Sequence, residues 1–237
     1  SVLALHVPQL IDEALATGGY INIKLNPKAV AEALQQVITA GTDYGRNNDG
    51  QDKTVVLDYS HPNIAKRMHV GHLRTTLLGA AMANIYAFGS YTTVRWNYLG
   101  DWGTQFGKLI AAYKRWGNKE AVEKDPINEL QTLYIHFHDE MKNDAMLETA
   151  GQEEFKKLES GDTENVQLWQ WFKEESLKEF RKMYALLGVE FDAWNGESTY
   201  EKELLPLITE LIDKKIGERE ADGAVIVKLE TQKLPPA

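Results

Sequence analysis

The chain has 237 residues, enough for one large domain or two small ones, and its 43% hydrophobic and 26% charged content excludes a disordered tail, a fibre or a low-complexity segment as its main part. It has no cysteine, which excludes disulfides, thiolate metal sites and a cysteine nucleophile and fits a reducing compartment. The formal charge of −9, from 26 Lys plus Arg against 35 Asp plus Glu, excludes a bulk electrostatic trap for nucleic acid, so any nucleic-acid contact needs a local basic surface.

No apolar run approaches the roughly 18 residues that span a membrane, and Ser1-Val2-Leu3-Ala4-Leu5-His6 lacks the basic flank and apolar core of a secretion signal. In chain order, the pattern predicts a helix over Val7 to Ala16, a Gly18-Gly19 turn, a strand over Tyr20 to Leu25 and a helix from Pro27 to Thr39 capped by Asn26. Gly41 to Lys53 is polar and glycine-containing, the best candidate for a boundary. A β-branched strand, Thr54 to Tyr59, leads through Ser60-His61-Pro62-Asn63 to a helix over Val70 to Phe88. Thr92 to Leu99 reads as the next strand and Gly103 to Trp116 as the next helix, which argues for a right-handed βαβ unit and a parallel sheet. Pro126 to Leu187 is helical in pattern, with its tryptophans read as packing residues, and Gly188 stops it. A strand over Val189 to Trp194, a helix over Tyr200 to Lys215 and a strand over Ala224 to Leu229 complete the pattern. A parallel sheet with so few strands suggests a fragment of a longer protein.

Chemistry concentrates in Ser60-His61-Pro62-Asn63-Ile64-Ala65-Lys66-Arg67-Met68-His69-Val70-Gly71-His72-Leu73-Arg74, between the first strand of the βαβ unit and its helix. Doubly wound folds bind ligands there, and a helix N-terminus adds free N–H groups and partial positive charge. Gly71 admits close approach of a base or phosphate. His69 and His72, three apart, can face one ligand and donate to phosphoryl oxygens, with Lys66 as a flexible charge. Alone, a His-x-x-His pair is surface decoration in most chains. Zinc on His61, His69 and His72 is an alternative, disfavoured by the lack of a carboxylate at a supporting helical spacing.

Asn97 to Gly107 forms a second cluster at the same sheet edge, with Asp101 a candidate helix cap or pocket acid, Gln105 a candidate pocket residue, and three glycines implying tight turns. Gly103 to Leu109 resembles a P-loop but is one spacer short and lacks its Ser/Thr, and no G-x-G-x-x-G follows either strand. Glu197, in Asn195-Gly196-Glu197-Ser198, is either a solvated loop acid or a receptor for a cationic group. His136 and His138 read as structural.

Asp58-Tyr59-Ser60-His61-Pro62-Asn63-Ile64-Ala65-Lys66, followed by His69-Val70-Gly71-His72-Leu73-Arg74, resembles the signature region of arginyl-tRNA synthetases, a class I family. Gly100-Asp101-Trp102-Gly103-Thr104-Gln105-Phe106-Gly107 and Gly196-Glu197-Ser198 are similar to further blocks of that family, and Gly19-Tyr20-Ile21-Asn22-Ile23 looks like the end of its N-terminal additional domain.

The resemblance implies a Rossmann-like α/β core, its first half only, with a helical insertion at about 120–188 and a partial N-terminal α+β domain in residues 1–50. It implies ATP-dependent activation of arginine, with Mg2+ carried by the nucleotide and no dedicated protein metal site, then transfer to tRNA(Arg) by the full-length protein. Lys66, His69 and His72 become the catalytic residues, and Lys66, His69, Gly71 and His72 the ATP-binding set. Ser60, His61, Pro62, Asn63 and His72 become arginine-binding residues, and Glu197 reads the guanidinium. A cytoplasmic monomer with no membrane partner is implied. The family's Lys-Met-Ser-Lys-Ser-type loop, second nucleotide-fold half and anticodon-binding domain are absent from this sequence, and His61 stands where a small residue is expected. Full aminoacylation by this chain alone is therefore expected to fail. Two alternatives are a small-molecule nucleotidyltransferase using the same His-x-Gly-His logic and a non-catalytic binding module.

Overall fold

A computed structural model describes residues 9–220, 223 and 225–227. β1 (Ile11–Thr17) pairs antiparallel with β2 (Tyr20–Leu25) across Gly18-Gly19. The two glycines have φ of 57° and 86°, the backbone of a type I′ hairpin turn. The expected helix over Val7 to Ala16 is thus a strand from Ile11 on; Val7 and Pro8 lie outside the described residues. The Gly-Gly turn reverses the chain and gives Glu13 to Ala16 backbone partners in β2, which overrides their helix propensity. α1 (Pro27–Ala40) follows, its first turn fixed by Asn26, whose side-chain oxygen accepts from Lys28 N–H at 2.9 Å.

Three parallel strands form the central sheet in the order β3 (Thr54–Asp58), β4 (Thr92–Leu99), β5 (Ala193–Gly196). Asp58 pairs with Trp96, and Leu99 pairs with Gly196, so all three carboxyl ends reach one edge. α2 (Val70–Phe88) crosses from β3 to β4. The longer crossover to β5 carries α3 (Thr104–Trp116), α4 (Lys119–Lys124), α5 (Pro126–Glu140), α6 (Met146–Glu159) and α7 (Thr163–Leu187). The α/β class and the parallel sheet are as the sequence indicates.

β5 begins later than the expected strand over Val189 to Trp194, because the Asp192 carboxylate takes the Arg95 N–H at 2.8 Å, a donor that an earlier ladder would use. α8 (Glu201–Asp213) follows, and β6 (Glu218–Arg219) pairs antiparallel with β7 (Val225–Ile226). Of the strand expected over Ala224 to Leu229, residues 224, 228 and 229 lie outside the described residues.

The core lies among the crossover helices. Phe106, Ile110, Leu130, Phe137, Phe172 and Phe180 are buried there, each contributing roughly 1.5–3 kcal/mol of apolar transfer. The Trp102 and Trp169 rings meet edge to face at 5.4 Å, and Trp171 of α7 packs on Tyr113 of α3, whereas Trp96 and Trp194 belong to β4 and β5 rather than to the helices. At the far end of α3, Lys114 Nζ donates to Glu154 at 2.8 Å and to Asn165 at 2.7 Å. Burial pulls the Glu154 carboxyl up, but hydrogen bonds from Lys114, Lys157 and Asn165 outweigh it and hold the carboxyl at about 2.

Candidate active site

Two turns meet at the carboxyl edge of the sheet. Ile64 N–H donates to Gly100 O, and Gly100 N–H donates to Pro62 O, both at 3.1 Å. This bridge seats Pro62 and Asn63 against the turn that follows β4. A Cβ at Gly100 would collide with the Asn63 side chain, so the close approach requires glycine.

The first turn is strained. Ser60, His61 and Ala65 have φ of 81°, 54° and 59°, a region L-residues rarely occupy. α7 holds it at two points, where Ala65 N–H donates to Ser176 Oγ at 2.9 Å and Ser60 Oγ meets Tyr184 OH at 2.6 Å.

His69 and His72 come together as the spacing predicts, with ring centroids 4.1 Å apart. His69 caps α2: its Nδ1 accepts from Gly71 N–H at 3.1 Å, and His72 Nδ1 accepts from His69 N–H at 3.2 Å. With both Nδ1 atoms accepting, each neutral ring carries its proton on Nε2, the one donor left for a ligand. Burial, and then the neighbouring His69, push the His72 pKa below its ordinary value and keep the ring neutral. The two rings, Gly71, Ser60, His61 and Asp58 line one cavity of about 590 Å³.

Asp58 lines the cavity although the sequence pattern does not single it out as a site residue. The signal was its place as the last residue of β3, at the ligand-binding edge. Its Oδ1 lies 2.5 Å from His61 Nε2.

The other site candidates sit around this cavity rather than in its lining. Lys66 Nζ donates to Gln105 Oε1 at 3.2 Å and stands 5.4 Å from the Tyr134 ring centre, over the α3–α5 side. Asp101 is fully buried and is not the helix cap; Gly103 is. Its carboxylate accepts from Ser198 N–H at 2.9 Å, Ser198 Oγ at 2.8 Å and Lys173 Nζ at 2.5 Å, and its carbonyl accepts from Trp169 Nε1 at 2.7 Å. Glu197 Oε2 accepts from Trp102 N–H at 3.3 Å. Tyr98 links the two turns, its ring centre 6.2 Å from that of His61. Burial, then the charge of Glu197, with Tyr200, Asp101 and Asp58 adding, pushes the Tyr98 phenol up.

Gly107 lies inside α3, where a Cβ would strike Gly151 of α6, so the P-loop-like stretch is a helix-packing feature. The His136 ring packs at 4.4 Å from Trp116 and the His138 ring at 4.5 Å from Tyr134. Among the described residues there is no group of three or more His, Cys, Asp or Glu side chains that could hold a metal ion.

The family model described as "tRNA synthetases class I (R), catalytic domain" matches residues 33–236. The chain belongs to this synthetase family. Arginine–tRNA ligase of Clostridioides difficile (strain 630) is 48% identical over 228 residues, covering 96% of this chain and 40% of that protein. Arginine–tRNA ligase 1 of Bacillus cereus is 49% identical over 222 residues, covering 93% and 39%. The chain thus spans about two-fifths of the length of these curated synthetases. The crystal structure of arginyl-tRNA synthetase from Plasmodium falciparum matches with a TM-score of 0.64 at 27% identity, over 95% of this chain and 40% of that one. Thermus thermophilus arginyl-tRNA synthetase matches with a TM-score of 0.63 at 24% identity, over 93% and 36%, a likeness of fold. Among the described residues no helix of this synthetase chain is long and apolar enough to cross a membrane.

Proposed function

We propose that this chain carries the ATP- and arginine-binding part of an arginine–tRNA ligase. The observation that carries the reading is the pair of Nε2–H donors of His69 and His72 at the N-terminus of α2, on the wall of one cavity. Neutral donors beside a helix N-terminus suit a phosphate chain whose negative charge grows during reaction. In this reading an arginine carboxylate oxygen attacks the α-phosphorus of ATP, pyrophosphate leaves with its electron pair, and His69 and His72 donate to the phosphoryl oxygens. The protein's contribution is positioning and charge stabilisation. Magnesium belongs to the nucleotide and neutralises the phosphates. Transfer of the arginyl group to tRNA(Arg) is a property of the whole protein, as is its place in the cytoplasm.

Two carboxylates are candidates for the guanidinium. Asp58 lines the cavity directly, and Glu197 approaches from the neighbouring turn through Tyr98. Either gives a physical reason for choosing arginine over neutral side chains. Lys66 reaches the phosphates in this reading by swinging from Gln105, a change its four-carbon stem allows. In this reading residues 1–50 belong to an additional unit and 51–237 to the catalytic part, with the helical insertion at about 120–188; the family match itself starts earlier, at residue 33. The small-molecule nucleotidyltransferase reading is not favoured, since the curated relatives named above are arginine ligases.

Calorimetry with a non-hydrolysable arginyl-adenylate analogue tests the reading. Saturable binding is expected, lost in His72→Ala and weakened in Lys66→Ala. Asp58→Asn and Glu197→Gln separate the two guanidinium candidates by loss of preference for the arginyl over the alanyl analogue. No binding by the unaltered chain, or equal binding of both analogues, defeats the reading.

A further inference from the structure

Behind the histidine pair lies a buried polar chain that the function above does not use. Tyr184, Asn97, Thr76 and Ser60 are all buried, and they come from α7, β4, α2 and the turn after β3. Thr76 Oγ1 is 2.7 Å from the His72 carbonyl oxygen and 2.7 Å from Ser60 Oγ. Ser60 Oγ is 2.6 Å from Tyr184 OH, and Asn97 Nδ2 is 3.1 Å from the same phenol oxygen.

Thr76 Oγ1 donates to both oxygens, its one proton shared between His72 O and Ser60 Oγ. The Asn97 amide donates to the Tyr184 phenol oxygen. The linked groups run from Asn97 through Tyr184, Ser60 and Thr76 to the first turn of α2 and polarise one another. Burial pushes the Tyr184 phenol up, consistent with a protonated donor. Its ring packs 4.9 Å from Phe191 and 5.7 Å from Trp194, so the hydroxyl can be removed without emptying the core.

We propose that Tyr184 is a positioning residue for the histidine pair: its hydroxyl holds Ser60 in its strained conformation and, through Thr76, sets the turn of α2 that presents His72. This rests on the reading of the cavity as the nucleotide and arginine site. The Tyr184 hydroxyl bonds Ser60 and Asn97 and does not line the cavity, which distinguishes it from the groups that meet substrate. The groups facing His72 are His69, whose ring lies tilted at 49° against it, and the Thr75 and Thr76 hydroxyls at its carbonyl.

The test uses the 237-residue chain and three variants, Tyr184→Phe, Thr76→Val and Thr76→Ser. The first readout is NMR titration of the labelled His72 ring without ligand. Tyr184→Phe and Thr76→Val are expected to move its midpoint upward toward the ordinary value, as the loosened ring gains water, and Thr76→Ser to restore it. The second is calorimetric affinity for the adenylate analogue, expected to fall about fivefold in Tyr184→Phe and in Thr76→Val. Combining the two substitutions should give less than the product of the single effects, because both act through Ser60. A His72 midpoint unmoved by both substitutions overturns the positioning role, whether or not the analogue binds. A moved midpoint in a chain that binds no analogue upholds the role and defeats the functional reading. If Tyr184→Phe fails to fold, the Thr76→Val and Thr76→Ser pair decides the same question.

Discussion

The turn after β3 and the turn after β4 are joined at the Asn63–Gly100 bridge, yet they treat their charged groups in opposite ways. The second is dry: Asp101 is fully buried, and every donor aimed at its carboxylate comes from another part of the chain. The first is open: Asp58 and His61 pair at 2.5 Å with about half of each side chain in water, beside the His69 and His72 rings. Both stretches are rich in residues that carry chemistry elsewhere. Accessibility separates them, since a fully buried acid already holding three donors is closed to a ligand while an open one is not.

That contrast is sharpest in stability. Asp101→Ala leaves the Lys173 ammonium and the Ser198 donors without their acceptor, and should cost about 3–5 kcal/mol by urea denaturation. A loss below about 1 kcal/mol would mean the turn is wetter than described. Gly79→Ala tests what supports the open turn: its Cβ would collide with the Tyr59 ring, and about 1–3 kcal/mol should be lost as α2 moves off β3. His72→Ala loses only a reciprocal cap, about 1 kcal/mol or less, while abolishing analogue binding. His61→Ala, which removes a half-exposed pair, should change stability by less than about 1 kcal/mol.

Acid separates open from closed groups as well. The Glu154 carboxyl is lowered from 4.5 to about 2, so the unfolded chain takes up its proton first. Its stabilisation is complete above pH 4.5 and is lost as pH falls toward about 2, which Glu154→Gln should flatten in a melting series. His72 acts in the same direction at higher pH: a base with a lowered pKa stabilises above its ordinary value and is lost as pH falls through the folded one. His72→Ala should remove that step.

Much of this was legible in the residues. The β-branched run at Thr54, the caps at Asn26 and Gly188 and the Gly-bearing turns mark where elements start and stop. The spacing of His69 and His72 on one helical turn also predicted their meeting. Local pattern failed where a distant partner decides. The hairpin at Ile11 depends on β2, and Asp192 delays β5 by bonding Arg95, 97 residues away in sequence. The role of Asp101 depends on Lys173 and Ser198, and the bond from Ser60 to Tyr184 spans 124 residues. A carboxylate in a glycine-rich turn reads the same whether its partner is water or a lysine from another helix.

Helix α7 has one further consequence. Its Ser176 and Tyr184 grip the open turn, and its Trp169 and Lys173 grip the closed one. One rod about 37 Å long therefore splints both loops, and a splint shared in this way makes them a single cooperative opening unit. The amide deuterium uptake of Ala65 and Ser198 should rise at the same urea concentration, even though 133 positions separate them along the backbone.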